Sequence, residues 1–198
     1  MIVKPKVLTK LMMQAYKGCG LRIEVGGTWT MISGGYWTFY VRPMAMSNIV
    51  KAKIVELLGD MPKPGTAITI YEKEEPQTAL CLECDPDTVF PKDTQCIETY
   101  ILLQHLEKEY RVIEGPGSMR LLCNRVLTDM ITEPTEAEAQ KGESSMDGPW
   151  TDGRWIRWDN NMCVMVAGTV NAWDGEVIDF LKKTVGNYEE CDMDDGDE

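Results

Sequence analysis

The spacing of apolar positions changes period once within the first 41 residues, from helical to alternating. Val7, Leu11 and Ala15 recur on one stripe with Leu8, Met12 and Tyr16 beside it, which predicts a helix over 6–17 stopped by Gly18 and Gly20. From Leu21 the period is two. Leu21–Val25, Trp29–Ile32 and Tyr36–Val41 are separated by Gly26-Gly27 and Ser33-Gly34-Gly35, the pattern of a three-stranded meander. A second helix is expected over 48–58, capped by Ser47 or Asn48 and ended by Gly59. Strands are expected at 67–71 and 78–84.

Residues 96–110 carry both periods. Continuity with Tyr110–Ile113, the Gly115-Pro116-Gly117 turn and Met119–Cys123 favours strand, and so a second meander. Residues 133–149 are rich in Glu, Ala, Ser, Gly and Pro and read as a mobile insert. Arg154–Trp158 and Met162–Val170 form a hairpin about Asp159-Asn160-Asn161, and a last helix is expected over 175–184 with Val177, Ile178 and Leu181 inward. The expectation is one α+β domain over 1–187: two antiparallel β-meanders flanked by about three helices. An acidic tail, expected to be disordered, follows over 188–198.

Charge sharpens that division. The net charge is −12, and 17 of the 32 acids but only 5 of the 20 basic residues lie after Thr132. The part before is neutral, with 15 of each sign, and seven acids crowd into 189–198. An acidic protein is repelled by nucleic-acid phosphates and attracted to proteins with positive grooves. Direct nucleic-acid binding is therefore disfavoured, and a protein partner that itself binds nucleic acid is favoured. No stretch approaches the roughly 18–20 apolar residues of a membrane span, and the start lacks a secretory pattern. A cytoplasmic location is expected, and the scattered, odd set of seven cysteines is expected to be reduced.

Candidate chemistry is sparse. His105 is the single histidine, so every Ser-His or Cys-His arrangement must use it, and no nucleophile-elbow, P-loop or dinucleotide fingerprint occurs. Cys81, Cys84, Cys96 and His105 supply four soft donors, but their spacing suits no common zinc site, and a strand would point Cys81 and Cys84 to different sides. No cofactor or metal is expected, and the reading is non-enzymatic. A small enzyme or zinc protein built on those four residues is one alternative, and a self-associating structural or regulatory protein is another. The acids of Asp85-Pro86-Asp87 read as turn formers before they read as ion ligands.

Tryptophan is more informative. Four of the six, Trp150, Trp155, Trp158 and Trp173, fall in the acidic third. With Arg154, Arg157, Asp159 and Asp174 they form the expected partner-binding set, since Trp and Arg anchor interfaces; packing within the core is the competing role. The run Tyr16-Lys17-Gly18-Cys19-Gly20-Leu21-Arg22-Ile23, with Tyr36-Trp37, Leu57-Leu58-Gly59-Asp60-Met61-Pro62 and Pro64-Gly65, resembles small proteins of phages and integrated elements of gut Firmicutes. Some acidic proteins of that setting are anti-CRISPR proteins that bind Cas nucleases. The resemblance covers about 65 residues at the N-terminus and implies a phage accessory protein. It assigns no functional residue.

Overall fold

In the computed structural model the described residues are 3–81, 85–105, 107–117, 119–140 and 144–170. Helix α1 (Pro5–Lys17) begins on a proline, whose missing N–H costs nothing in a first turn, and buries Leu8, Leu11, Met12 and Ala15 on one stripe. Strands β1 (Leu21–Val25), β2 (Thr30–Ser33) and β3 (Trp37–Val41) follow as the expected meander. In helix α2 (Asn48–Leu58) the Ser47 side chain accepts from the Val50 N–H at 3.3 Å. Gly59 ends that helix at φ 84°, a conformation that favours glycine.

Strands β4 (Thr66–Ile70) and β5 (Gln77–Leu80) come next, then a short helix α3 (Pro86–Val89) and strand β6 (Thr94–Gln95). Strands β7 (Ile97–His105), β8 (Lys108–Gly115) and β9 (Met119–Asn124) form the second meander. Two helical turns, α4 (Arg125–Thr128) and α5 (Glu136–Ala139), lead to β10 (Asp147–Thr151), β11 (Trp155–Asp159) and β12 (Cys163–Gly168). The expected insert at 133–149 needs correction at its end, because Asp147, Gly148 and Pro149 belong to a paired strand. The expected helix 175–184 and the acidic tail lie outside the described residues.

The two meanders do not divide the chain as its order suggests. The larger sheet has nine strands in the order β5-β4-β1-β2-β3-β12-β11-β10-β6, and the smaller has three, β7-β8-β9. The C-terminal hairpin thus joins the N-terminal meander through antiparallel pairing of β12 with β3, from Cys163↔Val41 to Ala167↔Trp37. This is a mixed, mostly antiparallel α+β fold.

Side-chain alternation gives the large sheet two distinct faces. On one, Leu21, Ile23, Ile32, Trp37, Phe39, Ile156, Trp158 and Met165 pack in the main core. That core also takes Leu8 and Met12 from α1, Val50 and Ile54 from α2, and Ile113, Leu121 and Cys123 from the small sheet. On the other face, Met31, Tyr40, Val164 and Val166 form a smaller cluster with Trp29, Cys81, Phe90 and Trp155. Phe90 sits edge-on between Tyr40, at 6.2 Å, and Trp155, at 5.4 Å. No described helix is long and apolar enough to cross a membrane.

Candidate functional site

Strand β11 separates the residues expected to bind a partner according to its pleat. Ile156 and Trp158 point into the main core, and Trp158 is 3% exposed. Trp155, Arg157 and Asp159 share the opposite face, beside Val164 and Val166 of β12. Trp158 is therefore a core residue, and its assignment to a partner-facing surface is corrected. Arg154 is exposed in the β10–β11 turn, where Asp152 Oδ1 accepts from the Arg154 and Trp155 N–H groups at 2.8 and 2.9 Å. Trp173 and Asp174 lie outside the described residues.

Arg157 and Asp159, each 4% exposed, form a buried ion pair. The Arg157 Nε donates to Asp159 Oδ2 at 2.9 Å, and Nη2 bonds both Asp159 and Asp87. Its Nη1 donates to the carbonyls of Pro86, at 3.3 Å, and Phe90. Lys92 Nζ lies 2.8 Å from Asp159 Oδ1 and 4.3 Å above the Trp150 ring. Each guanidinium nitrogen has a partner, and both Asp159 oxygens are occupied. A charge taken out of water is tolerable only when matched in this way. The network fastens the α3 segment across the sheet and keeps Phe90 over Tyr40 and Trp155.

Beside it opens a polar cleft of about 460 Å³, lined among others by Trp29, Arg42, Asp87, Lys92, Asp147 and Asn161. The Arg42 guanidinium lies 4.8 Å over the Trp29 ring while its Nε donates to the Asn161 carbonyl at 2.7 Å. Gly148 shapes this border: its φ is +114°, and a Cβ there would stand 2.7 Å from the Arg157 carbonyl oxygen. The cleft presents both cationic and anionic side chains, so it can recognise charge of either sign.

The described members of the zinc set are not brought together. Cys81 packs on the outer face of the large sheet, whereas Cys96 sits in the main core on its other side. His105 closes β7 at the end away from Cys96, roughly 25 Å along a strand at about 3.3 Å per residue. Tetrahedral zinc requires donors within about 2.3 Å of one point. Cys84 is outside the described residues, and among the described residues no three His, Cys, Asp or Glu side chains converge as a metal site. Asp85 accepts from the Asp87 N–H at 3.2 Å and the Thr88 hydroxyl at 3.0 Å, the turn-forming role its sequence suggests.

The most exposed apolar surface lies elsewhere, on β7, which is an edge of the small sheet. Ile97 is 70% exposed and Tyr100 98%, with Ile101 and Leu102 also exposed. Pairing is interrupted between Glu98↔Ile113 and Leu102↔Arg111, so four steps on β7 face two on β8. The Thr99 hydroxyl donates to the Val112 carbonyl at 2.8 Å and accepts from the Ile101 N–H at 3.2 Å, holding the bulge. Arg111 braces it from beneath, bonding the Thr99 carbonyl at 3.1 Å and pairing with Glu98 at 3.0 Å and Asp129 at 3.1 Å. Burial raises the Glu98 carboxyl above its ordinary range; Arg111 opposes the rise and Asp129 adds to it. The bulge throws Tyr100 outward as an apolar knob. Sequence reasoning missed this surface, although Ile97–Leu103 carries apolar residues on both sides of a strand.

Comparison with protein-family models, with curated proteins and with solved structures finds no match.

Proposed function

We propose that this chain is a non-enzymatic inhibitor or modulator that works by binding another protein. The partner it suits is a nucleic-acid-binding nuclease of the Cas9 type, in keeping with a phage or mobile-element origin. The observation that carries the reading is the apolar knob on β7. Soluble proteins seldom leave several large apolar side chains together in water unless the patch has a use. A bulged edge resists non-specific strand addition, so the knob offers side chains in place of an open ladder. The choice of a partner with a positive groove rests on the charge, −12 for the whole chain.

Within the expected partner-binding set, Trp150 and Arg154 remain presented at the border and turn. Trp155, Arg157 and Asp159 act by holding the outer cluster together.

The test is binding to a purified Cas9-type nuclease at about 0.15 M salt, where a Debye length near 8 Å leaves contact interactions intact. Tyr100→Ser together with Ile101→Ser is expected to weaken the complex at least tenfold while thermal unfolding stays unchanged. A complex with undiminished affinity in that variant would remove β7 from the interface. No complex with any nuclease tried would remove the proposed partner class.

A further inference from the structure

Every residue that lines the polar cleft beside the Arg157 network is among the described ones. Four of its charged side chains cancel one another, since Arg157 and Lys92 are matched by Asp159 and Asp87. Two further charges have no such match. Arg42, just after β3, is half-buried; its N–H donates to the Met162 carbonyl at 2.9 Å and its Nε to the Asn161 carbonyl at 2.7 Å. Its two Nη groups, the fork that grips a carboxylate or a phosphate, meet no acceptor among the described residues. Asp147, on the far side of β11 and β12, pairs through its backbone with Asp159, while its carboxylate forms no ion pair with a described residue.

The Arg42 fork is also held in place. The guanidinium lies 4.8 Å over the Trp29 ring, and the Trp29 carbonyl accepts from the Gly26 N–H at 2.9 Å, which closes the β1–β2 turn. The β11–β12 turn that supplies the Asn161 carbonyl is fixed by Asn160, whose Oδ1 accepts from the Met162 and Cys163 N–H groups, each at 2.9 Å. A donor fork ordered by a ring and a carbonyl loses little freedom when it takes an acceptor.

The acids of the cleft select the kind of anion. Asp87 engages Arg157 through Oδ1 alone and its side chain is 75% exposed, so with Asp147 it opposes a phosphate dianion. A carboxylate brings one negative charge, and the same two acids then favour a cation on the same ligand. The register Asp147↔Asp159, Asp159↔Val164, Val164↔Tyr40 sets the distance. Three strand spacings of about 4.8 Å and two residues along β3 at about 3.3 Å put the Cα atoms of Asp147 and Arg42 about 16 Å apart. Both side chains line the cleft and take up roughly half of that, and an extended dipeptide, at about 3.5 Å per residue, spans the remainder. We propose that this cleft binds a dipeptide-sized zwitterion, its carboxylate on the Arg42 Nη pair and its ammonium at Asp147 and the open oxygen of Asp87. The volume of about 460 Å³ suits a ligand of that size.

Titration of the full chain with L-alanyl-L-alanine, followed by the NMR signals of the Arg42 Nε–H and the Trp29 indole N–H, tests this. Saturable shifts are expected below about 10 mM, toward the weak end of specific binding. The C-terminal amide and the N-acetyl derivative should each bind at least about tenfold more weakly, as loss of one charge-assisted contact implies. Inorganic phosphate should bind more weakly than the dipeptide. Arg42→Lys, which keeps the charge but not the fork, and Asp147→Asn, a change at an exposed side chain, should both weaken the dipeptide at unchanged Tm. If Arg42→Lys lowers Tm, Asp147→Asn and the two blocked dipeptides carry the test. Absence of saturable shifts, or equal affinity for the free and blocked dipeptides, would overturn the assignment. Phosphate binding as tightly as the dipeptide would overturn it in favour of a plain anion site.

Discussion

Replacing Arg157 by leucine removes the cation that lies between Asp159, Asp87 and the carbonyls of Pro86 and Phe90. Asp159, at 4% exposure, would keep only Lys92, whose own side chain is 42% exposed. Breaking one side of a buried pair costs about 3–5 kcal/mol, and the remaining lysine places Arg157→Leu near the lower end. For a chain of this length that is a fall of roughly 6–12 °C in Tm, at about 2–4 °C per kcal/mol. Asp159→Leu alone should cost less, because Arg157 retains Asp87 and two carbonyls. The double variant removes the orphaned charge and should be more stable than the sum of the single losses by at least about 1 kcal/mol, the coupling expected of groups in one network. Recovery should stop short of the parent, since two carbonyl groups lose their donor and each buried unsatisfied group costs about 1–3 kcal/mol. Urea titration of all four proteins at pH 7, followed by circular dichroism with a common m-value, closes the cycle. Strict additivity would refute the network as the clamp on the α3 segment.

The remaining predictions concern thiols, pH and backbone. Burial pushes the Cys96 and Cys123 thiols up, Glu98 adding to the rise at Cys123 and Arg111 opposing it, while Cys19 is exposed; native-state alkylation mapped by mass spectrometry should label Cys19 far ahead of both, and equal rates would contradict the burial. The raised Glu98 carboxyl binds its proton more tightly in the folded than in the unfolded chain. Its contribution therefore favours folding at acid pH and is lost as pH rises through the folded value. Glu98→Gln should accordingly flatten stability against pH and be the more stable protein at pH 7; a less stable variant there would mean that the Arg111 pair outweighs burial. Gly148→Ala should destabilise by about 2 kcal/mol or more through its left-handed φ and the Arg157 carbonyl, whereas Gly27→Ala, with nothing within 4 Å, should be tolerated; equal melting temperatures would refute that contrast.

Local structure was legible in the sequence to the extent that it is encoded locally. The α1 stripe, the Ser47 cap, Gly59 and both meanders are set by neighbours within a few positions, and the structure places them where the periodicities do. Ile97–His105 is strand, as its continuity with β8 and β9 predicts. What could not be read was the pairing of β12 with β3, about 125 residues apart, since register between two apolar strands leaves no local mark. The strand at Asp147–Thr151 was hidden for a related reason: Gly148 and Pro149 read as loop, and only pairing with β11 and β6 makes them strand. Within the candidate site, alternation correctly joined Trp155 to Arg157 on one face. It did not reveal that Phe90, Asp87 and Lys92, some 65 to 70 positions away, would cover them.

On the proposed reading of the chain as a protein-binding inhibitor, that cover decides which surface a partner would meet. An arginine–tryptophan strand face is a good interface anchor only while its donors and ring are free. Here the guanidinium is matched at every nitrogen and the Trp155 ring is packed against Phe90, so contact through them requires removing the α3 segment first. The β7 knob has no such requirement. Its side chains already stand in water, and the bulge that presents them is held by Thr99 and Arg111, so little ordering cost remains to be met on binding. Substitutions in the two regions should therefore differ in kind. Changes at Arg157 or Phe90 would alter stability and binding together, through the fold. Changes at Tyr100 would alter binding with the fold intact, and that separation is what marks a surface as the interface.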